Sequence, residues 1–170
     1  DVDFLSNRWL FKYLTHALDE RMLDLIRRDA PRYLANPVSI NINVETLLSS
    51  AFDAFDAAIK PPEKNSVVLE VPVMDAFADP AAFMLARKEA QSKGYRVCLD
   101  GLTVGSFLNI DRGKLGVDLI KMQWNADVES DLKSRSNADL ATAVMACGSN
   151  RIILCRCDNR QAVDFGQALG

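Results

Sequence analysis

The apolar residues of this chain fall into two rhythms that take turns along its length. From Phe4 to Arg28, the residues Leu5, Trp9, Leu10, Tyr13, Leu14, Met22, Leu25 and Ile26 recur in steps of three and four, the spacing of an amphipathic helix. Asp19 stands where a carboxylate breaks such a helix and caps a second segment. After Pro31 and Pro37 the rhythm changes, and Val38 to Asn43 alternates apolar with polar, which predicts a strand. Asn43 then caps a predicted helix through Ile59, with Leu47, Leu48, Phe52 and Phe55 on its apolar side, until Pro61 and Pro62 end it. Val67 to Val71 reads as the second strand. Asp79-Pro80 starts a helix that turns Phe83, Ala86 and Ala90 inward and stops at Gly94. In the third strand Tyr95, Val97 and Leu99 alternate with Arg96, Cys98 and Asp100, followed by a short helix over Leu102 to Leu108 and a polar connector from Asp111 to Gly116. Val117 to Met122 is the fourth strand, Glu129 to Ala146 a helix closed by Gly148, and Arg151 to Cys157 the fifth strand. Asp158 is placed to cap a last helix ending at Gly170.

Five short apolar strands alternating with helices, behind an N-terminal helical segment, predict an α/β fold of parallel strands with right-handed crossovers. The periodicity fits an open doubly wound sheet and an incomplete or modified (β/α)8 TIM-type barrel of about five β/α units equally well. Neither G-x-G-x-x-G nor G-x-x-x-x-G-K-[ST] occurs, so the nucleotide folds built on those phosphate loops lose support. No segment repeats another and none is low in complexity, which leaves one domain over residues 1–170.

Composition changes this picture little and narrows the function classes. Of 170 residues 49% are hydrophobic and 25% charged, ordinary for a single globular core, and a net charge of -3 makes no case for nucleic acid or an anionic membrane as partner. No apolar run has the length of a bilayer span and the start does not resemble a signal peptide, so a cytoplasmic location is expected. The first residue is Asp rather than Met, which predicts a piece of a longer natural chain. Cys98, Cys147, Cys155 and Cys157 lack the paired C-x-x-C spacing of zinc ribbons and read as reduced, buried thiols. On one continuous strand Cys155 and Cys157 would share a face, so spacing leaves a redox pair open. His16, the only histidine, has no nucleophile beside it in sequence and reads as a surface or helix-end residue.

In a parallel α/β protein, polar residues at the C-terminal ends of the strands sit where ligands bind. Here these are Asn41, Glu70, Asp100, Lys121 and Asp158. Asn, Glu and Asp oxygens are hard ligands suited to Mg²⁺, and Lys is a point charge suited to phosphate or to a neighbouring carboxylate. A structural role is the alternative: the acids would satisfy backbone groups at strand ends and Lys121 would pair with Asp100.

Four segments carry a resemblance. Ser-Ile-Asn-Ile-Asn (39–43), Leu-Glu-Val-Pro-Val (69–73), Leu-Asp-Gly-Leu-Thr-Val-Gly (99–105) and Ile120-Lys121 follow in the order of the VNLS, LEITE, DDFGTG and KID segments of the EAL family of cyclic di-GMP phosphodiesterases. From about Leu18 to Gly170 the chain resembles that family. The resemblance sets Asn41, Glu70 and Asp100 on metal-binding positions and Lys121 on the lysine that helps position the attacking water. Cys155-Arg156-Cys157-Asp158 falls where the family has EGVE. It also implies a barrel fold and a place in bacterial cyclic di-GMP signalling.

The departures from the pattern point away from catalysis. The EAL strand, whose Glu binds metal, has no counterpart in these residues, and the closing QGY strand is likewise outside them. Gly101 stands for the second Asp of the metal-binding pair, Cys155 for the catalytic Glu of EGVE, and Val73 for the second Glu of LEITE. Leu102, Thr103 and Val104 replace the FGT of the loop. Two-metal hydrolysis needs both ions held about 3.5–4 Å apart around an activated water. With the EAL Glu, the second Asp and the EGVE Glu gone from the metal site, no metal is expected, and the reading is a catalytically inactive, degenerate EAL-like regulatory domain that binds another protein or forms a homodimer. The alternative is a cyclic di-GMP receptor that does not hydrolyse its ligand; the third reading is a residual metal-dependent phosphodiesterase using Mg²⁺ with Lys121 and Asp100.

Overall fold

The computed structural model of the chain describes residues 8–124 and 137–169. The chain divides into two compact units, Asp1–Val97 and Cys98–Gly170.

The first unit opens with α1 (Arg8–Arg28), which runs through Asp19 without interruption. Asp19 is no cap and no break, because its carboxylate bonds to a different element and so does not compete with the helix's own backbone bonds. The short α2 (Ala30–Tyr33) follows, then β1 (Val38–Asn41). The single helix expected from Asn43 to Ile59 is two, α3 (Val44–Leu47) and α4 (Ser50–Ala58). Ser49 separates them in an extended conformation while its hydroxyl donates to the Thr46 carbonyl at 2.8 Å, a local bond that competes with helix propagation. Leu47, Phe52 and Phe55 are buried as expected, whereas Leu48 is exposed. Pro61 and Pro62 end α4 and start a further turn, α5 (Pro61–Lys64), where a missing N–H is harmless. Strand β2 (Val67–Pro72) pairs parallel with β1, and its first five residues are all buried. The next turn, α6 (Val73–Ala78), carries no strong periodic signal in the sequence. Asp79 caps α7 (Pro80–Ser92) by accepting from the Ala82 N–H at 3.0 Å, as the Asp-Pro pair predicts.

Phe52, Phe55 and Tyr95 form the aromatic centre of this unit, with ring centroids 5.5–6.1 Å apart. Lys64 lies over the Tyr95 ring and reaches the Asp56 carboxylate at 2.6 Å. Burial first, and the facing Asp56 carboxylate next, hold the Tyr95 phenol far above the ordinary tyrosine range. The native protein therefore keeps this proton where the unfolded chain, ionising near pH 10, has lost it. That contribution to stability is complete below about pH 10 and declines by up to ~1.4 kcal/mol per pH unit above it. Urea unfolding on both sides of about pH 10 should show this decline in the wild type and a shallower one in Tyr95→Phe.

In the second unit, β3 (Arg96–Leu102, its first two residues in the first unit), β4 (Leu119–Gln123) and β5 (Ile152–Cys155) are parallel, β3 beside β4 and β4 beside β5. β3 continues past the expected end at Asp100, with an irregularity in register between Leu99 and Leu102. Thr103 and Ser106 then form a reciprocal cap at the start of α8 (Val104–Phe107). The polar connector holds a helical turn, α9 (Arg112–Leu115), capped by Asp111 and closed by Gly116. Arg112 ties this turn to its neighbours, donating at 2.9 Å both to the Cys147 carbonyl and to that of Val117. The helix expected over Glu129 to Ala146 is described as α10 (Asn137–Cys147); its earlier positions lie outside the described residues.

β5 is shorter than expected, because Arg156 adopts the left-handed conformation (φ 61°) and takes the chain out of the strand. Cys157 is therefore exposed beyond the strand end rather than on a shared face with Cys155. The last helix, α11 (Arg160–Leu169), is capped by Asn159, whose Oδ1 accepts from the Ala162 N–H at 2.8 Å; Asp158 is not the cap. Trp124 and Phe165 pack with ring centroids 5.1 Å apart.

Parallel strands that follow one another in chain order within each unit, each followed by helix, make this an incomplete (β/α)8, TIM-type barrel of five units. Among the described residues no helix is long and apolar enough to cross a membrane.

Candidate functional site

In the first unit the expected residues meet at the ends of β1 and β2. Asn41 and Glu70 are direct partners in the parallel register, and the Ile42 N–H donates to the Glu70 carbonyl at 3.0 Å. Side chains at paired positions of a parallel ladder leave the same face. Glu70 is nearly inaccessible (3% exposed) and Asn41 is open to solvent. Just beyond them a denser polar cluster forms that the sequence did not single out. One oxygen of Asp19 accepts from the Asn43 backbone N–H at 2.8 Å, the Asn43 side-chain amide at 2.7 Å and the Thr46 hydroxyl at 3.0 Å. Burial raises the Asp19 pKa from its usual value, and these bonds oppose the rise. Since the Thr46 proton goes to Asp19, His16 Nδ1, 2.8 Å away, donates to the Thr46 oxygen. His16 is thus a half-buried residue within α1, not a surface or helix-end one.

Asn43 does not cap α3 with its side chain. Asp75, from α6, does so by accepting from the Val44 N–H at 2.6 Å. Two adjoining clefts of about 440 and 240 Å³ share Lys12, Asp75 and Ala78 in their walls. The larger adds Glu45 and Asp79; the smaller adds Phe11 and Met74. Lys12 and Glu45 are paired at 2.9 Å. The signal for Asp19 lay in its phase: it falls one turn before Leu23 on the buried face of α1, and a carboxylate on an apolar face asks for partners.

In the second unit Asp100 and Lys121, each about a quarter exposed, face one another at 4.0 Å on adjacent strands. Asp100 Oδ1 also accepts from the backbone N–H of Gly101 at 2.7 Å. Gly101 has φ 85°, a left-handed conformation that favours glycine, inside the irregular stretch of β3. Burial pushes the Cys155 thiol up from its usual pKa, with Lys121 pulling it down and Asp100 pushing it up. Asp158 is exposed, in the loop after β5. The structure therefore brings Asn41 to Glu70 and Lys121 to Asp100, and leaves Asp158 in a solvated loop.

No family model matches the chain, and no curated protein matches it. Solved structures do. A Vibrio cholerae LapD structure comprising S helix, GGDEF and EAL parts, bound to c-di-GMP, aligns over 91% of this chain at TM-score 0.66 and 15% identity. The EAL enzyme Bd1971, in its cAMP- and cyclic-di-GMP-bound form, aligns over 99% at TM-score 0.59 and 16% identity. The fold is EAL-type. The chain spans 40% and 48% of the lengths of those two structures.

The resemblance to the EAL family implies divalent metal. A pair of Mg²⁺ ions wants several carboxylate oxygens turned to one point. Asp100 has one oxygen engaged by the adjacent N–H and a lysine close by, Gly101 offers no side-chain oxygen, and the Cys155 thiol is held protonated. These residues do not fit a two-metal centre.

Proposed function

We propose that this chain is a catalytically inactive EAL-type regulatory domain, cytoplasmic, that acts by binding a protein partner or a second copy of itself. The observation that supports this most directly is Gly101. Where the resemblance calls for the second metal-binding Asp, the chain has a glycine in a positive-φ conformation that an Asp side chain adopts only under strain. A local backbone shaped around glycine is what a site released from metal binding would keep. Asn41, Glu70, Asp100, Lys121 and Asp158 then serve as vestigial strand-end residues, Lys121 neutralising Asp100.

Turnover decides this reading. With cyclic di-GMP and Mg²⁺ or Mn²⁺, release of linear dinucleotide is expected to stay at background, since each lost metal or electrostatic contribution weakens transition-state binding by several kcal/mol. Release above background would refute inactivity. The receptor reading draws on the nucleotide bound in both compared structures. It would replace ours if cyclic di-GMP at a hundred times its Kd raised the unfolding free energy by about 2.7 kcal/mol without being cleaved.

A further inference from the structure

On α1, Phe11, Leu14, Leu18 and Leu25 are between 38% and 67% exposed. Their spacing of three, four and seven puts them on one stripe, and Arg21 and Arg28, both solvent-facing, continue it. Four large apolar side chains aligned on one open helix face are unusual for a surface that water alone covers. The two ends of this helix differ in charge. Its C-terminal half gathers Arg21, Arg27 and Arg28 around a single carboxylate, Asp24. Its N-terminal half borders the clefts where Glu45, Asp75 and Asp79 surround a single cation, Lys12.

We propose that α1 is a self-association surface, on which a second copy of this chain docks its own α1 antiparallel across a two-fold axis. An isologous contact needs one patch that complements itself when reversed, and this stripe does. Turned end for end, Leu14 of one copy meets Leu25 of the other, Leu18 meets the aliphatic stem of Arg21, and Arg28 comes over Phe11 at the mouth of the acidic clefts. Parallel pairing would set the arginine clusters against each other. A contact confined to one helix stripe is expected to give a reversible, concentration-dependent dimer. This choice of partner rests on the regulatory reading above, but its test is independent of turnover.

Sedimentation of the 170-residue chain over a hundredfold range of concentration should show a monomer–dimer equilibrium that weakens with added salt. Leu18→Glu, at an exposed position, should weaken it by roughly tenfold or more while circular dichroism stays unchanged. Arg28→Glu should weaken it as well. Adding Glu45→Lys to that variant should restore association, an outcome that loss of structure would not produce. A monomer over the whole range, or a dimer indifferent to Leu18→Glu and unrescued by the charge swap, would overturn the proposal, whatever the hydrolysis assay had shown.

Discussion

Replacing Phe55 by Ala is expected to destabilise the protein by ~3–5 kcal/mol, a large part of the 5–15 kcal/mol by which domains are typically stable. Phe55 is fully buried and its ring faces both Phe52 and Tyr95. Truncation removes those contacts and leaves a cavity whose walls belong to separate elements, so it closes only in part. Two of the walls are also committed elsewhere. Tyr95 is fixed beneath Lys64, and Lys93 lies over Phe52 while bonding Asp53 at 2.7 Å. Relaxation around the hole would have to disturb those charge contacts. Urea or thermal unfolding followed by far-ultraviolet circular dichroism reads the loss, with Leu48→Ala, at an exposed position, as the reference that should scarcely move.

Phe55 also marks how much of the fold was legible. Its burial followed from a step of three after Phe52, a local signal, and the five strands followed from runs of β-branched and apolar residues. What local signals missed were decisions made between elements. The helix expected from Asn43 to Ile59 has good periodicity throughout, yet it parts at Ser49, whose hydroxyl donates to the Thr46 carbonyl, and its first segment draws its N-terminal cap from Asp75, about thirty residues away, rather than from Asn43. α6 and α9 are single turns, too short to show a period. β5 stops early because Arg156 takes up a left-handed backbone, which an arginine does not announce.

The candidate site was legible to the same degree. Strand ends are local, so the pairing of Asn41 with Glu70 and of Lys121 with Asp100 could be anticipated from their positions. The glycine after Asp100 was legible only as a missing carboxylate; its positive φ and the irregular register around it are properties of the folded strand. In the sequence Asp19 reads as a helix breaker, because a carboxylate inside a helix usually serves its own backbone. Its partners lie more than twenty residues ahead, and no periodicity reports that.

The same residue carries the last expectation. In Asp19→Ala three donors lose their shared acceptor: the Asn43 N–H, the Asn43 amide and the Thr46 hydroxyl. The site is largely closed to water, so these groups are left buried and unpaired, at about 1–3 kcal/mol each before relaxation. The half-exposed Asn43 amide can turn to solvent, so the expected loss is ~3 kcal/mol rather than the full sum. The pH dependence gives a second readout. Because burial raises the native Asp19 pKa, the folded protein holds this proton over a range where the unfolded chain has released it. That contribution is complete below the unfolded value of about pH 4 and is lost as pH rises through the native one. The difference in stability between wild type and Asp19→Ala is therefore expected to be larger near pH 4 than at pH 7, by urea midpoints at each. A gap that widened toward neutral pH would mean that the three hydrogen bonds outweigh burial and that the carboxylate is held ionised in the native state.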